Sequence, residues 1–338
     1  MSEPQHVSIS SITDACACCT SPERGRTITG RERQLPVAAP AHQDYTACSN
    51  CGTWYATDTP ATFDASEHYP AEYYSFAASP DSALTRWLRG TRARHVTGLR
   101  SILGDLLVRR SGVPDGLAAF ARLDASPSSK ILDVGAGGGR LVRDVHAAGF
   151  RTVVGCDAYG ADVLGPPRLI RGALGAVPGT WDVIMYHHCL EHIDDPAVEL
   201  GRARSRLDPG GRILVRVPLS DSQAADEYGD RWVQLDAPRH RVIPTSAGMH
   251  ALAARVGLIV EAEWRDSSGF QFWGSELYRE DIALRNLGAG PESRFSKALL
   301  EQWSRRAAAL NASGRGDQGA FILRVAPGLV AHLRTDAA

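Results

Sequence analysis

The chain has 338 residues, 43% of them apolar and 22% charged, with a formal net charge of −1. That is enough to bury a sizeable core, and so balanced a charge excludes the global basic field that draws a whole protein to nucleic acid or to an acidic membrane. No apolar run approaches the roughly 18–20 residues of a membrane span, and Met1 to Ser11 lacks the basic start and apolar centre of a signal peptide, so a cytoplasmic protein without a membrane span is expected.

The seven cysteines are unevenly placed: Cys16, Cys18, Cys19, Cys48 and Cys51 come early, Cys156 and Cys189 much later. Cys16-Ala-Cys18-Cys19 and Cys48-Ser-Asn-Cys51 each hold a Cys-x-x-Cys pair, a spacing that lets two thiolates bind one tetrahedral zinc. Two such knuckles predict a structural zinc on Cys16, Cys19, Cys48 and Cys51, with Cys18 able to replace Cys16 or Cys19. The stretch between them has strand-like residues but too little apolar surface for a core, so metal has to hold it, contributing on the order of 10 kcal/mol. Residues 1–62 are therefore read as a zinc-binding ribbon, the plain alternative being spare reduced thiols.

Residues 63–127 are read as a linker or helical lid. His68 to Phe76 concentrates aromatics in an otherwise turn-like segment. Ser82 to Arg110 reads as one or two helices, with Leu84, Trp87, Leu88, Val96 and Leu99 near helical spacing and Arg86, Arg89, Arg92, Arg94 and Arg100 on the other face. Those arginines suit a phosphate or an acidic lipid surface, or simply a solvated helix face. Ser126-Pro127-Ser128-Ser129 hinges into the next region.

Lys130 to Arg140 organises the rest of the chain. Ile131, Leu132 and Val134 make a short buried strand, Gly135, Gly137, Gly138 and Gly139 break it, and Arg140 opens an amphipathic helix. In an open α/β sheet, ligands bind beyond the carboxyl ends of the strands, and glycines let a ligand approach the backbone. A dinucleotide fingerprint wants a glycine where this chain has Arg140 and gains nothing from Asp133. Gly155-Cys156-Asp157 ends a second strand, where the acid can accept hydrogen bonds from a ribose diol or else cap a turn. A short helix and a third strand, Arg168 to Gly172, come next. Trp181 to Met185 is the fourth strand, and Leu207-Asp208-Pro209-Gly210-Gly211 precedes a fifth, Arg212 to Pro218.

Asp133-Val134-Gly135-Ala136-Gly137-Gly138-Gly139 and these later pieces, over Ser128 to Pro218, resemble the class I S-adenosylmethionine-dependent methyltransferases. The resemblance implies an α/β fold, a Rossmann-like sheet over 128–338 with S-adenosylmethionine held by Asp133, Gly135, Ala136, Gly137, Gly139, Asp157 and His187. Where relatives place an acid for the adenine, this chain has Ala173-Leu174. In related zinc-ribbon enzymes a Tyr-rich segment covers the active site, so Tyr73, Tyr74 or Phe76 face cofactor or substrate by resemblance, or else form a packing link.

Strand four runs into Tyr186-His187-His188-Cys189-Leu190-Glu191-His192, the acceptor floor in such enzymes. His188-x-x-Glu191-His192 also matches an inverted zinc-protease motif, a reading its place after a cofactor-sheet strand rejects. An insertion over 219–245 carries Tyr228, Trp232, Asp236, Arg239 and His240, with Trp232 read as facing substrate. Met249 to Val256 reads as helix, Leu258 to Trp264 and Ala320 to Ala326 as strands six and seven, and 268–316 as an insertion that is helical over Gln271 to Asn311. His188, Glu191, His192 and His240 are expected to meet near the transferred methyl group, as a general base set, as ligands of a divalent metal, or as structural histidines. The expected partner is a small-molecule acceptor, by resemblance an activated sugar or natural-product intermediate, and no nucleic acid. The rivals are an RNA methyltransferase with a zinc module, a metal-dependent O-methyltransferase and a scaffold that has lost chemistry. The sequence carries no signature of oligomeric state.

Overall fold

A computed structural model describes residues 15–35, 41–57, 82–288 and 290–327. The N-terminal part forms β1 (Arg24–Arg31), β2 (His42–Cys48) and β3 (Trp54–Thr57). Then come α1 (Ala83–Val96), α2 (Ile102–Ser111) and α3 (Asp115–Phe120). Alternating elements succeed them: β4 (Lys130–Val134), α4 (Arg140–Ala147), β5 (Thr152–Asp157), β6 (Arg168–Arg171), β7 (Trp181–His187), α5 (Pro196–Ser205) and β8 (Leu207–Pro218). The last part holds α6 (Gln223–Tyr228), β9 (Val242–Ile243), α7 (Ser246–Arg255), β10 (Leu258–Arg265), α8 (Phe270–Arg279), α9 (Lys297–Ala312) and β11 (Gln318–Val325).

Among the described residues the strands form two sheets. The larger has the order β10-β11-β8-β7-β4-β5-β6, parallel from β6 to β8, with β11 antiparallel to both β8 and β10. From β4 the chain steps outward to β5 and β6, then crosses back to lay β7 on the other side of β4. That reversal opens a crevice above the ends of β4 and β7, where sheets of this kind bind ligands.

Both faces of the sheet are covered, which is why its strands read as apolar runs. Leu132, Val134, Ile184 and Val215 pack on the side of Leu200 in α5 and Leu252 in α7. Their neighbours Ile131, Val183 and Leu214 pack with Val142 and Val145 of α4 and Phe120 of α3. The period of two along each strand thus builds a three-layer sandwich. Helix α1 lies outside α4, where Arg89 pairs with Asp144 at 2.8 Å and Arg94 donates to the Ala147 carbonyl at 3.0 Å. Two of the five arginines of this face therefore serve packing.

Local chemistry explains where elements stop. Ser82 and Ser101 cap α1 and α2 through hydrogen bonds to Thr85 N and Gly104 N. Pro166 and Pro167 with Gly160 and Gly165 prevent the short helix expected between β5 and β6, and a bent segment with one antiparallel bridge, Val163 to Leu169, takes its place. The stretch expected to be helical over 271–311 is split into α8 and α9, with Gly288, Gly290 and Pro291 in the break. No described helix is long and apolar enough to cross a membrane.

The smaller sheet, β1-β2-β3-β9, draws its last strand from the 219–245 insertion: Trp54 pairs with Ile243 and Tyr55 with Val242. Tyr45, Trp54, Trp232, Leu235, Ile243, Phe272 and Trp303 form one core from the N-terminal strands, the insertion and helices α8 and α9. Trp232, expected to face substrate, is 0% exposed, meets Trp54 edge-on at 6.0 Å, and donates its indole N–H to Asp317 at 3.1 Å. Its bulk closes a core instead. Trp232→Ala should therefore cost about 3–5 kcal/mol of stability in denaturant unfolding; a variant as stable as the parent would show that this aromatic core is not what holds the insertion.

Candidate functional site

Above β4 the chain turns through Gly135, Gly137 and Gly139 at φ of 75°, 52° and 76°, conformations costly for any other residue type. The turn is tight. A Cβ on Gly135 would lie 2.4 Å from Cys189 Sγ. Gly135 N and Ala136 N both donate to the Cys156 carbonyl, at 2.8 and 3.0 Å, which docks the loop on β5.

Asp157 closes the loop from the other side. Its Oδ2 accepts from Gly137 N at 2.9 Å, and its Oδ1 accepts from Tyr159 N and Gly160 N at 2.9 and 2.8 Å. It acts as a turn cap, yet a carboxylate oxygen has two acceptor directions, so Oδ2 retains capacity for a hydroxyl. Asp133 is 2% exposed and its Oδ1 has no partner among the described residues. Burial, reinforced by Asp157, pushes its carboxyl up to about 8. An unsatisfied buried acceptor beside a cradle of glycines fits a ligand that brings positive charge and hydrogen-bond donors.

The end of β7 carries the histidines. His187 packs against Gly116 of α3, where a Cβ would come within 3.0 Å of its ring, and its buried Nδ1 finds no hydrogen-bond partner among the described residues. Burial, then His188 and Arg216, hold His187 well below the usual imidazole range. At His188 the backbone enters the left-handed region, φ 53°, and the strand ends. Arg216 Nη1 lies 2.7 Å from His188 Nε2, and a guanidinium can only donate, so Nε2 is the acceptor and Nδ1 carries the proton. That Nδ1–H points to Glu191 Oε1 at 3.3 Å. Burial and Arg216 keep this ring neutral, and its lone pair is committed.

His192 and His240 are placed differently. His192 Nδ1 donates to the Arg239 carbonyl at 3.1 Å and His240 Nδ1 to the Gln234 carbonyl at 2.8 Å, which leaves each lone pair on Nε2. The rings meet at 4.6 Å between centroids. His240 Nε2 lies 4.0 Å from Glu191 Oε1 and 3.7 Å from Asp236 Oδ2. Glu191 is 1% exposed, and its Oε2 has no partner among the described residues. Burial, then His240, brings His192 down to about 4, so it is neutral at physiological pH. Glu191, His192 and His240 offer ligand atoms within 4.8 Å of one another. Such a group can take a proton beside a carboxylate or chelate a divalent cation.

Arg216 was not singled out by sequence reasoning. It is 2% exposed, bonded to Asp266 at 2.6 Å, Gln318 at 2.5 Å and Asp115 at 3.3 Å besides His188. A lone charge inside the apolar run Ile213 to Val217 was the available signal. Tyr73, Tyr74 and Phe76 lie outside the described residues.

At the N-terminus, Cys16 and Cys51 sulfurs lie 3.6 Å apart and Cys19 and Cys48 sulfurs 3.5 Å apart, all four within 4.8 Å. Cys18 stays outside this group, and burial pushes its thiol up to about 12.

A family model described as a methyltransferase domain matches residues 108–263. A ubiquinone biosynthesis O-methyltransferase of Aeromonas salmonicida (strain A449) is 28% identical over 164 residues, 42% of this chain and 66% of that protein. Among solved structures, a cyclopropane synthase of Mycobacterium tuberculosis aligns over 64% of this chain and 87% of its own, at 19% identity and a TM-score of 0.41. The 1,6-didemethyltoxoflavin-N1-methyltransferase of Burkholderia thailandensis aligns over 87% and 99%, at 16% identity and a TM-score of 0.39. The family match spans the glycine loop, Asp157 and the end of β7, and the strand order brings those pieces to one crevice. Residues 108–263 are a class I S-adenosylmethionine-dependent methyltransferase domain.

Proposed function

We propose that this domain methylates a small-molecule acceptor, an activated sugar or natural-product intermediate, and that His192 or His240 takes the acceptor's proton. The observation that carries this reading is the pair of imidazoles, each with Nδ1 on a backbone carbonyl and Nε2 left as the second ring nitrogen, beside the buried side chain of Glu191 at the end of β7. The near-zero net charge and the small-molecule O-methyltransferase relative support it. S-adenosylmethionine supplies an already electrophilic methyl group, so the protein's work is alignment and proton removal. Asp133, Gly135, Ala136, Gly137, Gly139, Asp157 and His187 would hold the cofactor. His188 is the orienting member: with its lone pair on Arg216, it uses Nδ1–H to fix Glu191. As acceptor O–H or N–H gives its proton to an imidazole, Glu191 and Asp236 stabilise the imidazolium.

The close group of Glu191, His192 and His240 favours a second reading, in which the same atoms hold a divalent ion that lowers the acceptor's pKa. Loss of turnover on chelation and its return with a divalent ion would select it.

We also propose that residues 1–62 hold a structural zinc on Cys16, Cys19, Cys48 and Cys51. Four sulfurs about 2.3 Å from a tetrahedral zinc stand about 3.8 Å apart, close to the 3.6 and 3.5 Å seen here. Metal analysis of freshly purified, unchelated protein should find one zinc per chain, and finding none sinks this assignment.

Asp157→Ala should weaken S-adenosylmethionine binding about tenfold or more in calorimetry, and unchanged affinity removes Asp157 from the site. His192→Ala and His240→Ala should each bind cofactor normally but lose about 100-fold or more in turnover. With His192 as the base, held near 4, kcat/KM should persist as pH falls through the usual imidazole range and decline only towards about 4. Near-normal turnover in both variants ends the base and metal readings together.

A further inference from the structure

His192 and His240 depend on a segment that is gripped from outside the transferase domain. In the run 239–241 each carbonyl is taken: Arg239 O by His192 Nδ1 at 3.1 Å, His240 O by Tyr45 Oη at 2.9 Å, and Arg241 O by Ala56 N at 2.8 Å. Arg241 N donates in turn to the Glu191 carbonyl at 2.6 Å. Tyr45 and Ala56 belong to β2 and β3, and His192 and Glu191 to the turn after β7. The segment is thus a bridge between the N-terminal strands and the acceptor-side turn.

A buried charge cluster sets the path of this bridge. Arg239 lies with its side chain 0% exposed between two carboxylates, Glu32 just past β1 and Asp236. Glu32 meets both Nη atoms of Arg239, with 3.0 Å from Nη2 to Oε1, while Oε1 also accepts from Gln34 N at 2.7 Å and Leu35 N at 3.0 Å. Asp236 adopts φ 37°, a left-handed conformation costly for a residue with a side chain, and its carbonyl accepts from Arg239 N at 2.9 Å and His240 N at 3.2 Å. Such strain persists only where neighbours over-determine it. The Glu32–Arg239–Asp236 cluster does that here, and a planar bidentate pair also fixes direction.

We propose that Glu32, which lies outside the matched domain, is a positioning residue for the acceptor side: through Arg239 it holds the carbonyl that sets the His192 tautomer and the turn that carries His240. The functional weight of this rests on His192 and His240 being the acceptor-side pair, but the coupling can be tested without turnover.

Ring nitrogens of histidine-labelled full chain, with His192 and His240 signals assigned by His192→Gln and His240→Gln, report the tautomer directly by nitrogen-15 NMR. The parent should show His192 protonated on Nδ1. Glu32→Gln keeps the acceptor for Gln34 and Leu35 but removes the charge, and should shift the tautomer ratio about fivefold or more towards Nε2–H, as expected for one weakened hydrogen bond. S-adenosylhomocysteine affinity should stay within about twofold, since Asp157 and the glycine loop are not touched. If Glu32→Gln fails to fold, Glu32→Gln combined with Arg239→Met and Asp236→Asn removes all three charges of the cluster, leaves no unpaired buried ion, and should shift the tautomer in the same sense. A His192 ring that stays Nδ1-protonated to the parent's degree in the folded variant overturns the proposal. Normal turnover in His192→Ala would instead overturn the base assignment and leave this coupling to be decided by the spectrum.

Discussion

The order of strands around β4 is the constraint on which the rest depends. Because β5 leaves on one side and β7 returns on the other, three strand ends open into the same crevice. Asp157 ends β5, Asp133 and the glycines end β4, and His187 ends β7. Residues 22 and 52 positions apart in the chain are brought together by main-chain pairing alone, with Asp133 opposite Gly155 and Met185. The glycines then matter for a packing reason as well as a ligand reason, since the space a Gly135 side chain would need is filled by Cys189. The glycine loop and the turn after β7 are in direct contact.

The second constraint is the disposal of charge in a dry interior. Arg216 sits in a strand flanked by apolar neighbours, where an unpaired guanidinium would be prohibitive. Asp266, Asp115 and Gln318 take up its donors, and the remaining Nη1 faces His188. A cation at 2.7 Å prevents that ring from gaining a proton, so His188 can donate to Glu191 but not serve as a base. One arginine therefore divides the labour among four neighbouring groups. Arg239 does the corresponding work on the other side, neutralised by Glu32 and Asp236.

The fold class was legible from the sequence because it is written in local patterns. Apolar runs of strand length and the glycine break after Val134 each report on their own few residues, whereas Asp208-Pro209-Gly210-Gly211, expected as a turn before the fifth strand, lies inside β8 as a shift of register against β7. The neighbourhood of Glu191, His192 and His240 was legible in part, from a loop at the same sheet edge, but the helical turn expected to join His188 to Glu191 and His192 does not form: His188 stands at φ 53° and only Leu190–His192 makes a short turn. The features that could not be read depend on distant partners. Nothing near Val242 announces that it will pair with Tyr55, and a tryptophan in a polar loop looks like a pocket wall until Trp54 and Asp317 are seen around Trp232. The tautomers were out of reach for the same reason: they are set by Arg216, and by the carbonyls of Arg239 and Gln234, none of them adjacent in sequence to the ring concerned.

The N-terminal strands are too few to bury a core of their own. Two holds compensate, at opposite ends. At one end Cys16, Cys18, Cys48 and Cys51 pack with Met249 and Leu252 of α7, Arg255 donates to the Cys18 carbonyl at 2.9 Å, and Thr245 Oγ1 donates to the Cys51 carbonyl at 2.5 Å. At the other, Tyr45 and Trp54 enter the aromatic core of the insertion. Between these holds runs β9, separated from His240 by Arg241 and from Thr245 by Pro244. A change in the cysteine knuckles or in the aromatic core is therefore felt at the short segment that carries the histidine, because that segment runs directly into the fourth strand of the smaller sheet. The N-terminal part is built against the segment that carries His240, through Tyr45 on the His240 carbonyl and Ala56 on the Arg241 carbonyl, so its packing and the geometry of His240 share the same contacts.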